Sequence, residues 1–302
     1  MIYKNFDQLI GRMGTGKGGK RIVAVMAAED SHTLEAVCQA ARVGAVEPLL
    51  IGSKDKMSEQ LMLLGERPAD YALVNAETPE EVVFRAAALV NAGEAHFLMK
   101  GLIPTGEMMK HLLNEKCGFR TDAQLSHLGL VHIPNYHKLV GITDSALNIR
   151  PDLAQKKGMI VNAVGAMLRM GFDEPNVAVL AAVEQVNPKM PETLDAAELK
   201  RLNEAGEIAG CVIEGPISYD LAICKESAAL KGYASPVCGE VDLMVAPDIA
   251  AANILLKALR YSAEASSAGF VVGGSVPLVL TSRAAEVGSK YLPILLAAAA
   301  SA

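Results

Sequence analysis

At 302 residues, with 51% hydrophobic and 4% aromatic residues and no Trp, the chain can fill one large domain or two ordinary ones around an aliphatic, alanine-rich core. Its formal charge of −6, with both signs interspersed, leaves no basic stripe for a nucleic-acid partner, while a local pocket of Lys and Arg still admits a small polyanion. The five cysteines, Cys38, Cys117, Cys211, Cys224 and Cys238, are scattered without Cys-x-x-Cys spacing and read as free thiols in a reducing compartment.

The first local feature is a glycine-rich stretch. Gly11 to Gly19 fits most of a Walker A pattern, and Gly14, Gly16 and Gly19 fit a dinucleotide fingerprint. Both patterns need a strand before them and a helix after. Here the β-rich run Arg21-Ile-Val-Ala-Val-Met follows instead, and Gly18 stands where a P-loop needs Ser or Thr, so the stretch reads as a linker. Short apolar runs then alternate with helical periodicity, predicting strands over 22–27, 48–51, 71–75 and 96–100. Helices are expected over 31–43, with Leu34, Val37, Cys38 and Ala41 on one face, over 56–64, and from Thr78 to about Asn91. Thr78-Pro-Glu-Glu81 supplies a capping box with Pro at the first helical position. This alternation predicts a parallel, doubly wound α/β sheet.

The fourth strand ends in Lys100-Gly-Leu-Ile-Pro-Thr-Gly106 and leads into a helix through Glu115. Lys100 at a strand end, Gly101 beside it and Thr105-Gly106 at a helix start make a candidate cradle for phosphate or pyrophosphate. An ordinary strand-to-helix turn with a surface lysine is the alternative. After Arg120 the rhythm changes: runs over 128–133 and 138–143, separated by Pro134-Asn-Tyr-His137, suggest a hairpin at a domain boundary. Asp144 and Asn148 then either cap the helix that begins near Pro151 or line a cleft. His127, His132 and His137 read as packing or surface residues.

A second α/β series follows. It has helices over 153–170, 196–208, 219–229 and 249–265, and strands over 177–182, 211–214 and 243–246. Two of its turns carry polar groups, Glu214-Gly-Pro-Ile-Ser-Tyr-Asp220 and Pro247-Asp-Ile-Ala-Ala-Ala-Asn253, where Ser218 and Asp248 are expected caps. A last apolar run, 276–280, delivers Thr281, Ser282 and Arg283 to its C-terminal end just before another helix-forming stretch. Ligands collect at such strand ends and helix starts. The restart of the series predicts two lobes, 1–135 with 275–302 and 136–274, and a cleft between them. The six histidines form no metal-ligand spacing, so no metal is expected. The opening residues lack an apolar signal core and no apolar run approaches a membrane span; the expected location is the cytoplasm, with no membrane partner.

Taken together, these stretches resemble the phosphate acetyl/butyryl transferase family over nearly the whole chain. The resemblance rests on Asn5-Phe-Asp-Gln-Leu-Ile, Lys100-Gly-Leu-Ile-Pro-Thr-Gly, Thr143-Asp-Ser-Ala-Leu-Asn-Ile, Glu214-Gly-Pro-Ile-Ser-Tyr-Asp, Ala246-Pro-Asp-Ile with Asn253 and Lys257, and Val276-Pro-Leu-Val-Leu-Thr-Ser-Arg. It implies two α/β lobes of the isocitrate and isopropylmalate dehydrogenase kind, with the last strand and helix returning to the first lobe. It also implies a homodimer or higher homo-oligomer, no tightly bound cofactor, and coenzyme A or acyl-CoA as substrate. The implied reaction is acyl-CoA plus phosphate giving acyl phosphate plus CoA, with butyryl-CoA ahead of acetyl-CoA.

By the same resemblance Arg283 and Ser282 stabilise the tetrahedral centre, and Lys100, Gly101, Thr105 and Gly106 hold phosphate or pyrophosphate. Asp144, Asn148, Asn253 and Lys290 join them as substrate-binding residues. One departure stands out. The expected base position falls near Ser289, so the nearest carboxylate, Glu286, is carried as the base. Two other readings stay open: a metal-dependent dehydrogenase, for which Asp220, Asp242 and Asp248 make no evident carboxylate cluster, and a non-catalytic CoA or acyl-phosphate sensor.

Overall fold

The computed structural model describes residues 3–13, 20–281 and 287–301. Helix α1 (Phe6–Met13) takes up the start of the glycine-rich stretch read as a linker; residues 14–19 lie outside the described residues. The first series then runs β1 (Arg21–Met26), α2 (Ser31–Arg42), β2 (Val46–Gly52), α3 (Lys54–Leu63), β3 (Ala72–Asn75), α4 (Pro79–Asn91), β4 (Phe97–Lys100) and α5 (Thr105–Leu112). The second comprises β5 (Ser126–His132), β6 (Val140–Thr143), α6 (Leu153–Arg169), β7 (Asn176–Leu180), α7 (Pro191–Glu204), β8 (Val212–Ile217), α8 (Tyr219–Ile223), α9 (Lys225–Leu230), β9 (Leu243–Val245) and α10 (Ile249–Ser262). β10 (Ser266–Val272), β11 (Leu278–Val279) and α11 (Val287–Ala300) close the chain.

Two compact units result: a terminal unit, Ile10–Ala123 with Ala268–Ala302, and a central unit, Met1–Leu9 with Gln124–Ser267. The divisions at 123/124 and 267/268 differ from the 135/136 and 274/275 expected from the sequence, since β5 and β6 pair with each other inside the central unit. Tyr3 belongs there too. Its hydroxyl donates to the Met170 carbonyl at 3.0 Å and its ring meets Phe172 edge-on at 5.1 Å.

The terminal unit's strands lie in the order β3-β2-β1-β4-β11-β10. All pair in parallel except β10 with β11, which run antiparallel with Val271 opposite Leu278. β4 is buried along its whole length, as a strand covered on both faces must be. α11 packs on α2 and on β1, β4 and β11, and its alanine run lets it approach closely. The central unit's order is β5-β6-β9-β7-β8, parallel from β6 onward, over a core that includes Val131, Ile142, Met244 and Leu221.

Local chemistry explains most helix bounds. Thr78 caps α4 by accepting from the Glu81 N–H at 3.2 Å, while the Glu81 carboxylate bonds the Glu77 N–H at 3.0 Å, one residue outside the expected box. Asp152 and Gln155 form a full capping box on α6, so neither Asp144 nor Asn148 caps that helix. Four expectations fail for identifiable reasons. α5 stops at Leu112, short of Glu115, because Asn114 caps a separate short turn that ends at left-handed Gly118. α7 starts at Pro191, five residues before the expected 196, with proline in its first turn. The expected 219–229 helix is broken at extended Cys224. Residues 263–265, read as the end of a helix, lead instead into β10, which went unrecognised because its partner β11 is only two residues long.

One ionic cluster ties the central unit's strands together. The buried Lys138 ammonium reaches Asp242 at 2.8 Å and the Glu240 carbonyl at 2.6 Å, and His137 and Lys225 meet the Glu240 carboxylate at 3.0 and 2.5 Å. Burial pushes the Glu240 carboxyl up, but the Lys225 and His137 hydrogen bonds and the charges of His137 and Lys138 outweigh it and bring it to about 2. A carboxyl held below its unfolded range, about 4.3, stabilises the fold fully above that range and loses the effect as pH falls toward 2. Denaturant unfolding of wild type and Glu240→Gln is expected to differ at pH 6 and to converge as pH falls from about 4.5 toward 2. A pH-independent difference would show that the cluster does not act through this carboxylate.

Candidate active site

In the terminal unit the ends of β1 and β4 lie level, with Met26 opposite Lys100. The chain turns tightly there: the Gly101 N–H donates to the Met26 carbonyl at 2.7 Å and the Leu102 N–H to the Ala27 carbonyl at 2.8 Å. A Cβ on Gly101 would stand 2.3 Å from the Ala27 carbonyl oxygen, so only glycine permits this approach. The turn delivers the start of α5. Pro104 at the cap offers no side-chain bond, and Thr105, Gly106 and Glu107 are exposed, so the first turn of α5 has no side-chain cap at the positive end of its helix dipole. Lys100 is not the surface lysine of the alternative reading. It is 3% exposed and its Nζ donates to the Gly101 carbonyl at 3.2 Å.

Lys290 has a different setting from the one the sequence suggested. It lies on α11 at 2% exposure, donating to Thr33 Oγ1 at 3.1 Å with Asp30 Oδ1 at 4.0 Å. Asp30 is itself the N-cap of α2, accepting from the Thr33 N–H at 2.9 Å. The ammonium therefore holds the first turn of α11 against the start of α2. Ser282, Arg283 and Glu286 lie outside the described residues.

In the central unit the C-terminal ends of β6, β9, β7 and β8 share one edge of the sheet, and antiparallel β5 begins there. Asp144, just past β6, organises it. Oδ1 accepts from the N–H groups of Ala146 and Leu147 at 2.7 and 2.9 Å, and Oδ2 from the His127 N–H at 3.0 Å and Asn148 Nδ2 at 2.6 Å. Asn148 also donates to the Leu125 carbonyl at 2.9 Å and accepts from Gln124 Nε2 at 2.6 Å. Both side chains are thus an internal brace, filled by protein partners. Asn253, one turn into α10, donates to the Ser145 carbonyl at 3.1 Å, and Asp248 caps α10 through the Ala251 N–H at 2.8 Å.

Sequence reasoning missed what the brace holds. His127 Nδ1 and Ser145 Oγ lie 3.3 Å apart, a contact diagonal to the hairpin register, which sets His127 opposite Asp144. Farther along the edge, Ser218 does not cap α8; its hydroxyl lies within hydrogen-bond reach of both Glu184 and Asp220, the latter at 2.6 Å, and its one proton goes to either carboxylate. Lys231 reaches the same carboxylates at 3.0 and 3.2 Å. The Ser218 hydrogen bond first, and Lys231 with it, holds the Glu184 and Asp220 carboxyls below their usual range. Glu184 and Lys231 also line a cavity of about 650 Å³ with the rest of 183–188 and Tyr233. Among the described residues, two buried hydroxyls lack a hydrogen-bond partner, Thr143 and Thr281, one at the end of β6 and one just past β11.

Residues 74–298 match the family described as phosphate acetyl/butaryl transferase. The chain belongs to that family. It is 41% identical over 293 residues to a phosphate acetyltransferase of Thermotoga maritima, covering 97% of this chain and 99% of that one. It is 36% identical over 297 residues to a phosphate butyryltransferase of Clostridium acetobutylicum, covering 98% of each. A solved branched-chain phosphotransacylase from Enterococcus faecalis superposes with a TM-score of 0.81 at 29% identity, over 93% of this chain and 99% of the other. A phosphate acetyl/butaryl transferase is an acyltransferase, so this chain is an enzyme of that class with an α/β fold, as its sequence implies. The matched span contains the Lys100 turn, the Asp144 brace and Asn253.

The tight contact at Gly101 is open to direct test. Gly101→Ala is expected to lower the unfolding free energy by about 1–3 kcal/mol, the scale of overpacking, in urea titrations. A loss under about 0.5 kcal/mol, no more than an ordinary surface change, would show that the turn relaxes freely.

Proposed function

We propose that this acyltransferase exchanges a short acyl group between coenzyme A and orthophosphate, acyl-CoA plus phosphate giving acyl phosphate plus CoA, with butyryl-CoA as the preferred thioester. The observation that carries the proposal is the strand-end turn at Lys100-Gly101, which opens into the uncapped first turn of α5 inside the matched span. An uncapped helix start that follows a strand-end lysine and glycine in the chain suits a phosphoryl group.

Arg283 and Ser282 then take the roles that the sequence resemblance implies. Carbonyl attack places negative charge on the carbonyl oxygen, and a guanidinium supplies charge and directed donors together. Lys290 contributes at one remove, by fixing the first turn of α11. Acetyl-CoA as preferred substrate is the second reading, favoured by the 41% identity to the Thermotoga maritima acetyltransferase.

Release of free CoA, followed with a thiol reagent, decides between them. With phosphate present, turnover is expected for acyl-CoA of two to five carbons and highest for butyryl-CoA; a higher kcat/KM for acetyl-CoA selects the second reading, and no release from any of them overturns both. Arg283→Ala is expected to lower kcat by at least about a hundredfold, the scale of losing an oxyanion partner. Turnover near that of wild type would remove Arg283 from the site.

A further inference from the structure

The loop after β7 carries a cavity that the acyl-transfer reading leaves unused. Its volume of about 650 Å³ falls within the range of small-molecule sites, about 300–1,000 Å³. Its lining, 183–188 with Lys231 and Tyr233, lies wholly in the central unit. We infer that this cavity binds a small organic cation, a primary ammonium on a short aliphatic body, with the Glu184 carboxylate as its anchor.

Its walls are held by the protein's own bonds. Beyond β7 the chain runs to Pro191 without a helix. The Ala181 N–H ties the start of this loop to the Ile217 carbonyl at 3.0 Å, and fully buried Thr193 of α7 holds its far part by accepting from the Asn187 N–H at 2.9 Å. The remaining wall follows α9. Gly232 takes a left-handed φ of +64°, which turns the chain so that its neighbours Lys231 and Tyr233 both line the cavity. The Tyr233 hydroxyl donates to Glu214 Oε1 at 2.9 Å, and Lys200 meets that carboxylate at 2.8 Å, so the ring is pinned by a charge pair that is already balanced.

The charges at Glu184 are not balanced. Glu184 and Asp220 share one ammonium, that of Lys231 at 3.0 and 3.2 Å, and one hydroxyl proton, that of Ser218, which leaves one negative charge in excess. All three groups are charged at neutral pH, since the Ser218 hydrogen bond holds both carboxyls below their usual range and the Glu184 bond holds the Lys231 ammonium above its own. Ser218 and Lys231 both bond Oε1 of Glu184; Oε2 takes no donor from another of the described residues. An ammonium on the ligand supplies that donor and the missing charge together. Val183, Val186 and Pro188 give apolar walls for its carbon chain, and Tyr233 gives an aromatic one, a surface that attracts cations.

A metal ion and an anion both fit these groups poorly. A divalent metal needs the position between Glu184 and Asp220 that the Lys231 ammonium holds, and among the described residues no group of three His, Cys, Asp or Glu could take one. An anion meets the excess negative charge, and the lysine it would need is already turned to two carboxylates.

Saturation-transfer NMR on the full chain, at neutral pH and low ionic strength, tests this with n-butylammonium, n-butanol and butyrate, which have equal carbon number and differ in the head group. n-Butylammonium is expected to bind with a Kd on the order of 1–10 mM, the scale open to a ligand of so few atoms, and the other two at least about tenfold more weakly. Glu184→Gln keeps the size of the side chain and removes its charge. It is expected to weaken n-butylammonium at least about tenfold with an unchanged denaturation curve. Val186→Lys, at a site 50% exposed where a substitution costs the fold little, is expected to weaken it as well, by repulsion. Wild-type protein that shows no n-butylammonium binding up to about 100 mM overturns the proposal, as does butyrate binding as tightly, or a Glu184→Gln protein with the wild-type Kd. No acyl transfer enters the readout, so the result is independent of the substrate reading above.

Discussion

The Asp144 carboxylate draws four N–H donors onto itself, three from the main chain and one from Asn148. A carboxylate taken out of water costs several kcal/mol unless it is fully paired. Hydrogen bonds to a charged group return about 1.5–3 kcal/mol each, so four directed ones make the arrangement tolerable only in one geometry. That geometry fixes the start of β5, the turn after β6, and Asn148 together. Ser145 and His127 inherit their positions from it.

In the terminal unit the strand-end turn at Gly101 is held without a carboxylate. There the constraint is steric: the main chain at Gly101 lies so close to Ala27 that no side chain fits, and two short main-chain hydrogen bonds lock the turn. Lys290, Thr33 and Asp30 hold the helix after β11 to the start of α2. Enzymes gain from groups held in place before the substrate arrives, since no reorganisation is then needed as charge develops. In both units the groups are held by main-chain geometry at strand ends, where a parallel sheet leaves its carbonyls and the following helix its N–H groups.

How far the sequence could be read depended on how local each signal was. The start of α4 was legible because Thr78 and Pro79 sit together at its first turn. The parallel strands of the first series were legible because full burial leaves continuous apolar runs. β10 was not: its alternating small and apolar residues gain meaning only beside β11. The break between α8 and α9 depends on the extended conformation of Cys224, which no local pattern announces. Gly101, Thr105 and Gly106 lie at the strand end and helix start that the sequence indicated. The internal hydrogen bonds of Asp144, Asn148 and Lys290 to His127, Leu125 and Thr33 depend on residues distant in the chain and were not legible.

The sequence by itself determined the α/β class, the alternation of elements, the family and the positions of the strand-end turns, because periodicity, caps and glycine turns act over a few residues. Only the tertiary structure decided which polar groups are occupied and which are left open. Ser145 and His127 are eighteen residues apart in the chain, and Lys290 and Thr33 are 257 apart; these pairs exist because strand register and helix packing bring them within hydrogen-bond reach. Burial acts in the same way: a lysine or histidine looks alike in any sequence, and its chemistry follows from the neighbours that exclude water from it.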